Sequence, residues 1–298
     1  MKYASKKFQD NSYQLLIHCV FIILSLAAIL PFILLIVSSL TDERYLLVDG
    51  YSFWSKHWSL EAYKWVFITN RITIFRAYGV TVFVTAAGTT LSLVVGPMLG
   101  YAISRKDYPL RNVISFLVFF TMIFNGGFVA SYITWTRLMN VKNTIFALIF
   151  PGMLFTGFQI MLMKSYFSMN IHPALIEAAK IDGAGEFYIY YKIVLPLSLP
   201  IIATIGLMVG INYWNDWRNG LFYLTDPKLF NLQNLLNRIL ENANYLATVG
   251  SSIGDRSEVP STASRMAMAV IGALPVMALY PFFQKYFIKG ITLGGVKE

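Results

Sequence analysis

The chain has 298 residues, of which 56% are hydrophobic, 16% aromatic and 13% charged, with a mean hydropathy of +0.57. A soluble domain carries about a quarter charged residues, so the composition excludes an ordinary water-soluble globule and points to a bilayer. The formal charge of +9 is scattered between apolar runs instead of forming a stripe or tail, which argues against nucleic acid and leaves anionic head groups as its counterpart.

Runs of about 20 apolar residues, enough to cross roughly 30 Å of hydrocarbon, fall at 13–40, 78–103, 112–134, 143–166, 192–214 and 265–287. The first follows Lys2, Lys6 and Lys7 but is far longer than a signal h-region and has no small-residue cleavage pattern, so it is expected to stay as a spanning helix. It holds the single cysteine, Cys19, beside His18, which is too few ligands for a metal site and leaves no disulfide framework. The segment after it, GYSFWSKHWSLEAYKWVF, spaces Trp54, Trp58 and Trp65 as a short amphipathic helix at the interface would.

Between the second and third runs RKDYPLR packs three basic residues into a short loop, which favours the cytoplasmic side for it and for both termini. Asn125, Gly126 and Gly127 interrupt the third run. GPMLG (Gly96, Gly100) and GLMVG (Gly206, Gly210) let helices approach closely, and Pro31, Pro97, Pro151, Pro275 and Pro281 need neighbouring helices to satisfy the carbonyls they free. The 298 residues are therefore expected to form one membrane domain.

Several chemistries lack their residues. There is no G-x-x-x-x-G-K-[ST] loop, so the chain is expected to hydrolyse no ATP itself. His18, His57 and His172 match no metal-binding pattern, there is no G-x-S-x-G elbow, and no catalytic residue or metal ligand is assigned. Ionisable side chains are nearly absent from the spans, unlike a proton- or sodium-coupled carrier.

One stretch breaks the apolar text: EAAKIDGAGEFYIYYKIVLPLSLP, Glu177 to Pro200. Pro173 suits a first helical position, Ala174 to Ile181 reads as a short helix, and Asp182-Gly183 breaks it where glycine takes φ > 0. A second short helix then leads back into the membrane. Ala178 and Ala179 leave one face small, and Glu177 offers a charge to a partner's arginine.

E-A-A-K-I-D-G-A followed by I-V-L-P-L at Ile193 to Leu197 resembles the EAA motif of the permease subunits of ATP-binding-cassette importers, in the carbohydrate-uptake branch. The six spans and the terminal KGITLGGVKE are similar to the LplC/YtcP-like oligosaccharide subgroup. The resemblance implies an all-α integral membrane protein, a six-helix bundle of the type I importer (MetI-like) fold, with 167–191 as a cytoplasmic coupling-helix hairpin. It implies that Glu177, Ala178, Ala179, Asp182, Gly183 and Ala184 meet the ATPase. It also implies a bacterial cytoplasmic membrane, a second and different permease chain, two ATPase subunits holding ATP and Mg, and an extracytoplasmic solute-binding protein. No cofactor is expected on this chain. Gln159, Asn212, Tyr213, Asn215 and Asp216 carry amide, phenol and carboxyl groups near the spans and are candidates for a sugar path. A permease for a non-sugar solute and a non-transporting scaffold or sensor remain open.

Overall fold

Residues 2–152, 154–249 and 261–295 are described by a computed structural model, and among them every regular element is helical. The chain divides into two compact units, one of residues 1–71 and 239–273, the other of 72–238 and 274–298.

In the first unit, α1 (Lys2–Ser39) carries the first apolar run, and α2 (Glu43–Asp49) follows with Asp42 capping it through the Arg44 N–H. The Glu43 carboxylate accepts from the Thr262 and Ala263 N–H groups, both at 2.8 Å, filling the orphan donors that begin the last helix, Thr262–Gly295. The amphipathic helix expected through Trp54, Trp58 and Trp65 does not form as one element. The Ser55 and Ser59 hydroxyls accept from the His57 and Glu61 N–H groups, giving the backbone an alternative to helix. Helix begins only with α3 (Glu61–Lys64), which widens into a π-turn over Trp65–Thr69.

The second unit is organised on α4 (Arg71–Ser104), with α5 (Arg111–Ile123), α6 (Phe128–Ile133), α7 (Phe146–Ile149) and α8 (Gly157–Asn170) after it. Close approach to α4 is built in by glycine. A Cβ on Gly100 would stand 2.9 Å from Met163 Cβ on α8. One on Gly88 would stand 2.3 Å from the Tyr213 ring, on the helix Leu199–Trp214. The Asn125–Gly127 interruption is a sharp corner: α5 and the helical stretch Phe128–Leu138 lie 115° apart.

The run 143–166, expected as one helix, is divided. The α7 turn ends before Pro151 and Gly152, the latter at φ +68°, and α8 restarts only at Gly157 under a capping box. By length and composition Tyr13–Ser39 and Arg71–Ser104 can each cross a membrane alone, and two bent helix pairs can do so if each counts as one span. The second pair is Glu186–Leu197 with Leu199–Trp214, at 81°. Pro196 and Pro200 lie on either side of its bend, and a π-turn over Tyr190–Val194 precedes it.

Candidate coupling site

The helix α9 (Pro173–Ile181) opens with His172 as N-cap, its ring nitrogen accepting from the Ala174 N–H, and with Pro173 in the first turn. It closes by a double bond pattern: Gly183 N–H to Lys180 carbonyl at 3.0 Å and Ala184 N–H to Ala179 carbonyl at 2.9 Å. That pattern demands a left-handed residue after the cap, which Gly183 supplies at φ +80°. The short α10 (Glu186–Ile189) completes the hairpin, its Ile189 fully buried.

The six motif residues do not share one environment. Glu177 and Ala178 are exposed, as are Asp182 and Gly183, and Ala184 is half-buried. Ala179 is 8% exposed and packs into the chain's own core with Ile171, Ile189 and Tyr190, so it supports the hairpin from within and offers no outer surface. The outer surface is apolar in place of it: Leu175, Ile181, Phe187 and Tyr188 are all exposed, with Ile181 at 86%. Side chains of this size are worth roughly 1.5–3 kcal/mol each when buried, so this end of the chain is built to be covered.

The hairpin is tied to α4 by four charges. Arg105, one residue past the end of α4, pairs with Asp107 through two nitrogens and reaches Glu186 at 2.5 Å. Lys180 bridges Glu186 at 3.1 Å and Asp107 at 3.4 Å, so both arms of the hairpin meet one cluster. The Arg105 guanidinium, only 9% exposed, also donates to the Tyr101 hydroxyl at 3.1 Å. Its hydrogen bonds hold the Asp107 carboxyl well below the usual carboxylate range, and Glu186 raises Lys180. A depressed carboxyl contributes stability above its unfolded pKa and loses it only as pH falls through the lowered value. The raised lysine contributes below its unfolded pKa and loses that as pH rises through the raised value, so Asp107 and Lys180 both keep their charge through neutrality. Arg105 and Glu186 stand 81 positions apart, and neither was singled out from the sequence as a coupling residue.

The sugar-path candidates separate into two groups. Gln159, 2% exposed, is the return half of the α8 capping box: its carbonyl oxygen accepts from Thr156 N–H at 3.0 Å, and Thr156 Oγ1 accepts from Gln159 N–H at 3.3 Å. Tyr213, 1% exposed, donates its hydroxyl to the Ile149 carbonyl at 2.8 Å. Asp216, 7% exposed, lies just past α12 (Leu199–Trp214, after the turn α11 at Leu195–Leu197) and accepts from the Asn219 N–H at 3.1 Å. These three are buried and hydrogen-bonded within the fold, and of the five candidates Asn212 and Asn215 are exposed. The Thr-x-x-Gln spacing at 156–159 was the signal that could have placed Gln159.

Asp216 belongs to a polar corner. The Asn231 amide donates to its main-chain carbonyl, and Asn234 to the Trp217 carbonyl at 3.3 Å. The next N–H, of Leu232, donates to Thr81 Oγ1 of α4 at 2.8 Å. One helix thus holds the corner at Thr81 and the charged clamp just past its end, about 36 Å apart along its axis.

Residues 88–293 match the family model described as binding-protein-dependent transport system inner membrane component. The chain is 35% identical to the polygalacturonan/rhamnogalacturonan transport system permease protein YtcP of Bacillus subtilis, over 97% of this chain and 99% of that one. It is also 35% identical to protein LplC of the same organism, over 90% and 89%. Among solved structures it matches a bacterial ABC transporter involved in the import of the acidic polysaccharide alginate, with TM-score 0.78 and 28% identity, over 94% of this chain and 98% of that one. The chain belongs to the inner membrane components of binding-protein-dependent transport systems, as a type I ABC importer permease.

Proposed function

We propose that this chain is one permease of an ATP-driven importer that passes an oligosaccharide into the cytoplasm, and that the Pro173–Ile189 hairpin receives the stroke of the ATPase. The observation that carries the reading is the hairpin itself: an exposed apolar rim around Glu177, fixed by a four-charge clamp to a helix long enough to span the bilayer. A relative named for polygalacturonan/rhamnogalacturonan transport and a structural neighbour involved in the import of the acidic polysaccharide alginate support a saccharide as the solute. The hairpin side, with both termini, faces the cytosol, and the 298 residues act as one domain of six spans in the cytoplasmic membrane. A second, different permease completes the pathway, two ATPase subunits supply ATP and Mg, and an extracytoplasmic binding protein delivers the sugar.

The drive is a linkage: nucleotide binding favours one arrangement of the ATPase pair, and only differential contact with the two arrangements transmits it to the spans. Glu177, Ala178, Asp182 and Gly183 form the exposed contact, with Ala179 and Ala184 supporting it. The substrate path has Asn212 and Asn215 as its exposed amides in this chain.

The test is Glu177→Lys in vesicles reconstituted with the complete importer. ATP-dependent saccharide uptake falls at least about tenfold, a coupling loss of roughly 1.4 kcal/mol, while the permease still inserts. Uptake and ATPase coupling at wild-type levels would remove the hairpin's assigned role. A glycan panel on the binding protein that yields no ligand would remove the saccharide.

A further inference from the structure

Beside the charged clamp lies a cavity of about 410 Å³ between the ends of α4, α5 and α8 and one face of α9. Five cations line it, Arg105, Lys106, Arg111, Lys164 and Lys180, against two carboxylates, Asp107 and Glu177. Arg105 and Lys180 are committed to Asp107 and Glu186. Among the described residues Lys106, Arg111 and Lys164 have no carboxylate within 4.0 Å, and Lys164 donates only to the Ser115 hydroxyl at 2.8 Å. Three uncommitted cations thus face one free carboxylate. The first turn of α5, which adds Arg111 and Asn112 to the lining, has no side-chain cap. The Arg111 N–H donates to the Tyr108 carbonyl at 3.2 Å, and the N–H groups of Asn112 and Val113 after it add to the field for an anion.

We propose that this cavity binds the phosphate head group of an anionic phospholipid. Arg111 and Lys164 hold the phosphate oxygens by charge-assisted hydrogen bonds, with Lys106 at the rim. A lipid is favoured over free phosphate because α5 continues from the cavity as an exposed apolar stripe. Val113, Phe116, Leu117 and Phe120 recur at helical spacing and are 46–62% exposed, a surface on which an acyl chain can lie. The site depends on the geometry of the cavity and not on which solute the importer carries.

The full-length chain in detergent, titrated with dioctanoyl phosphatidylglycerol and followed by native mass spectrometry, tests this. Wild type binds phosphatidylglycerol about tenfold more tightly than phosphatidylcholine, and Arg111→Gln with Lys164→Gln abolishes that preference, a change of about 1.4 kcal/mol. Lys106→Gln, on an exposed side chain, weakens phosphatidylglycerol about two- to threefold and decides the matter if the double variant does not fold by circular dichroism. Displacement by inorganic phosphate shows that the phosphate group alone is recognised; failure to displace it, with the variant effect intact, assigns the whole lipid. Equal affinity for the two lipids, an unchanged preference in folded variants, or complete expulsion of the lipid by the docked ATPase overturns the proposal, the last because the cavity would then belong to that partner.

Discussion

Asp107 and Asp216 are the same side chain held by opposite physics. Asp107 is 57% exposed and meets two cations, and its carboxyl is pushed down by the Arg105 hydrogen bonds. Asp216 is 7% exposed with no cation within 4.0 Å among the described residues, and burial pushes it up to about 6. One of its oxygens accepts from Asn219, and the other is buried with no hydrogen-bond partner. Pairing keeps the first charged at any physiological pH, and desolvation brings the second to the edge of neutrality. The first region is suited to hold a moving element by charge, the second to lock a corner by shape and amide bonds.

The comparison breaks most visibly at Arg105. Replacing it by Ala leaves Asp107 and Glu186 exposed enough to hydrate, so melting in detergent shifts little while uptake by the complete importer falls about tenfold or more. A large melting shift would mean that the clamp serves stability alone. Gly88→Ala tests the packing that carries α4 past Tyr213. The added methyl meets a ring anchored by its hydroxyl, at a cost of about 1–3 kcal/mol, and Tyr213→Leu in the same chain recovers part of it.

Asp216 sharpens the contrast by pH. Its folded pKa is raised, so its contribution is full below the usual aspartate value and is lost as pH rises through about 6. Stability should fall by on the order of 2 kcal/mol between pH 4 and pH 8 in wild type, a fall that melting of Asp216→Asn should lack. The smallest effect is at the α8 cap: Thr156→Ala should cost about 1 kcal/mol in thermal unfolding with uptake per folded molecule unchanged. Loss of uptake there would give Gln159 a transport role beside its capping one.

What was legible in the sequence was local. Pro173, Asp182 and Gly183 dictate the hairpin by rules that act over a few residues, and the structure has the proline in the first turn and the glycine at positive φ. The Arg105–Glu186 pair, the Lys164–Ser115 contact and the Leu232–Thr81 bond join residues 49 to 151 positions apart, and nothing in a single chain's pattern sets such partners. Gln159 has a partner close by in the chain. The Thr156 hydroxyl and N–H three residues earlier engage its backbone and side chain, and the Thr-x-x-Gln spacing makes that bond legible locally. The divided 143–166 run is similar: its hydropathy is continuous, but Pro151 and Gly152 set the backbone there and hydropathy does not report it.

Pro97 lies inside α4, between Thr81 and the clamp, and has no N–H to offer the Leu93 carbonyl one turn back. The long helix therefore has a missing rung part way along it. A helix yields most readily where a rung is missing, so a load on either end of α4 would be relieved first by bending at Pro97. In mechanical terms α4 is a jointed lever, and its compliance is written in a single imino acid.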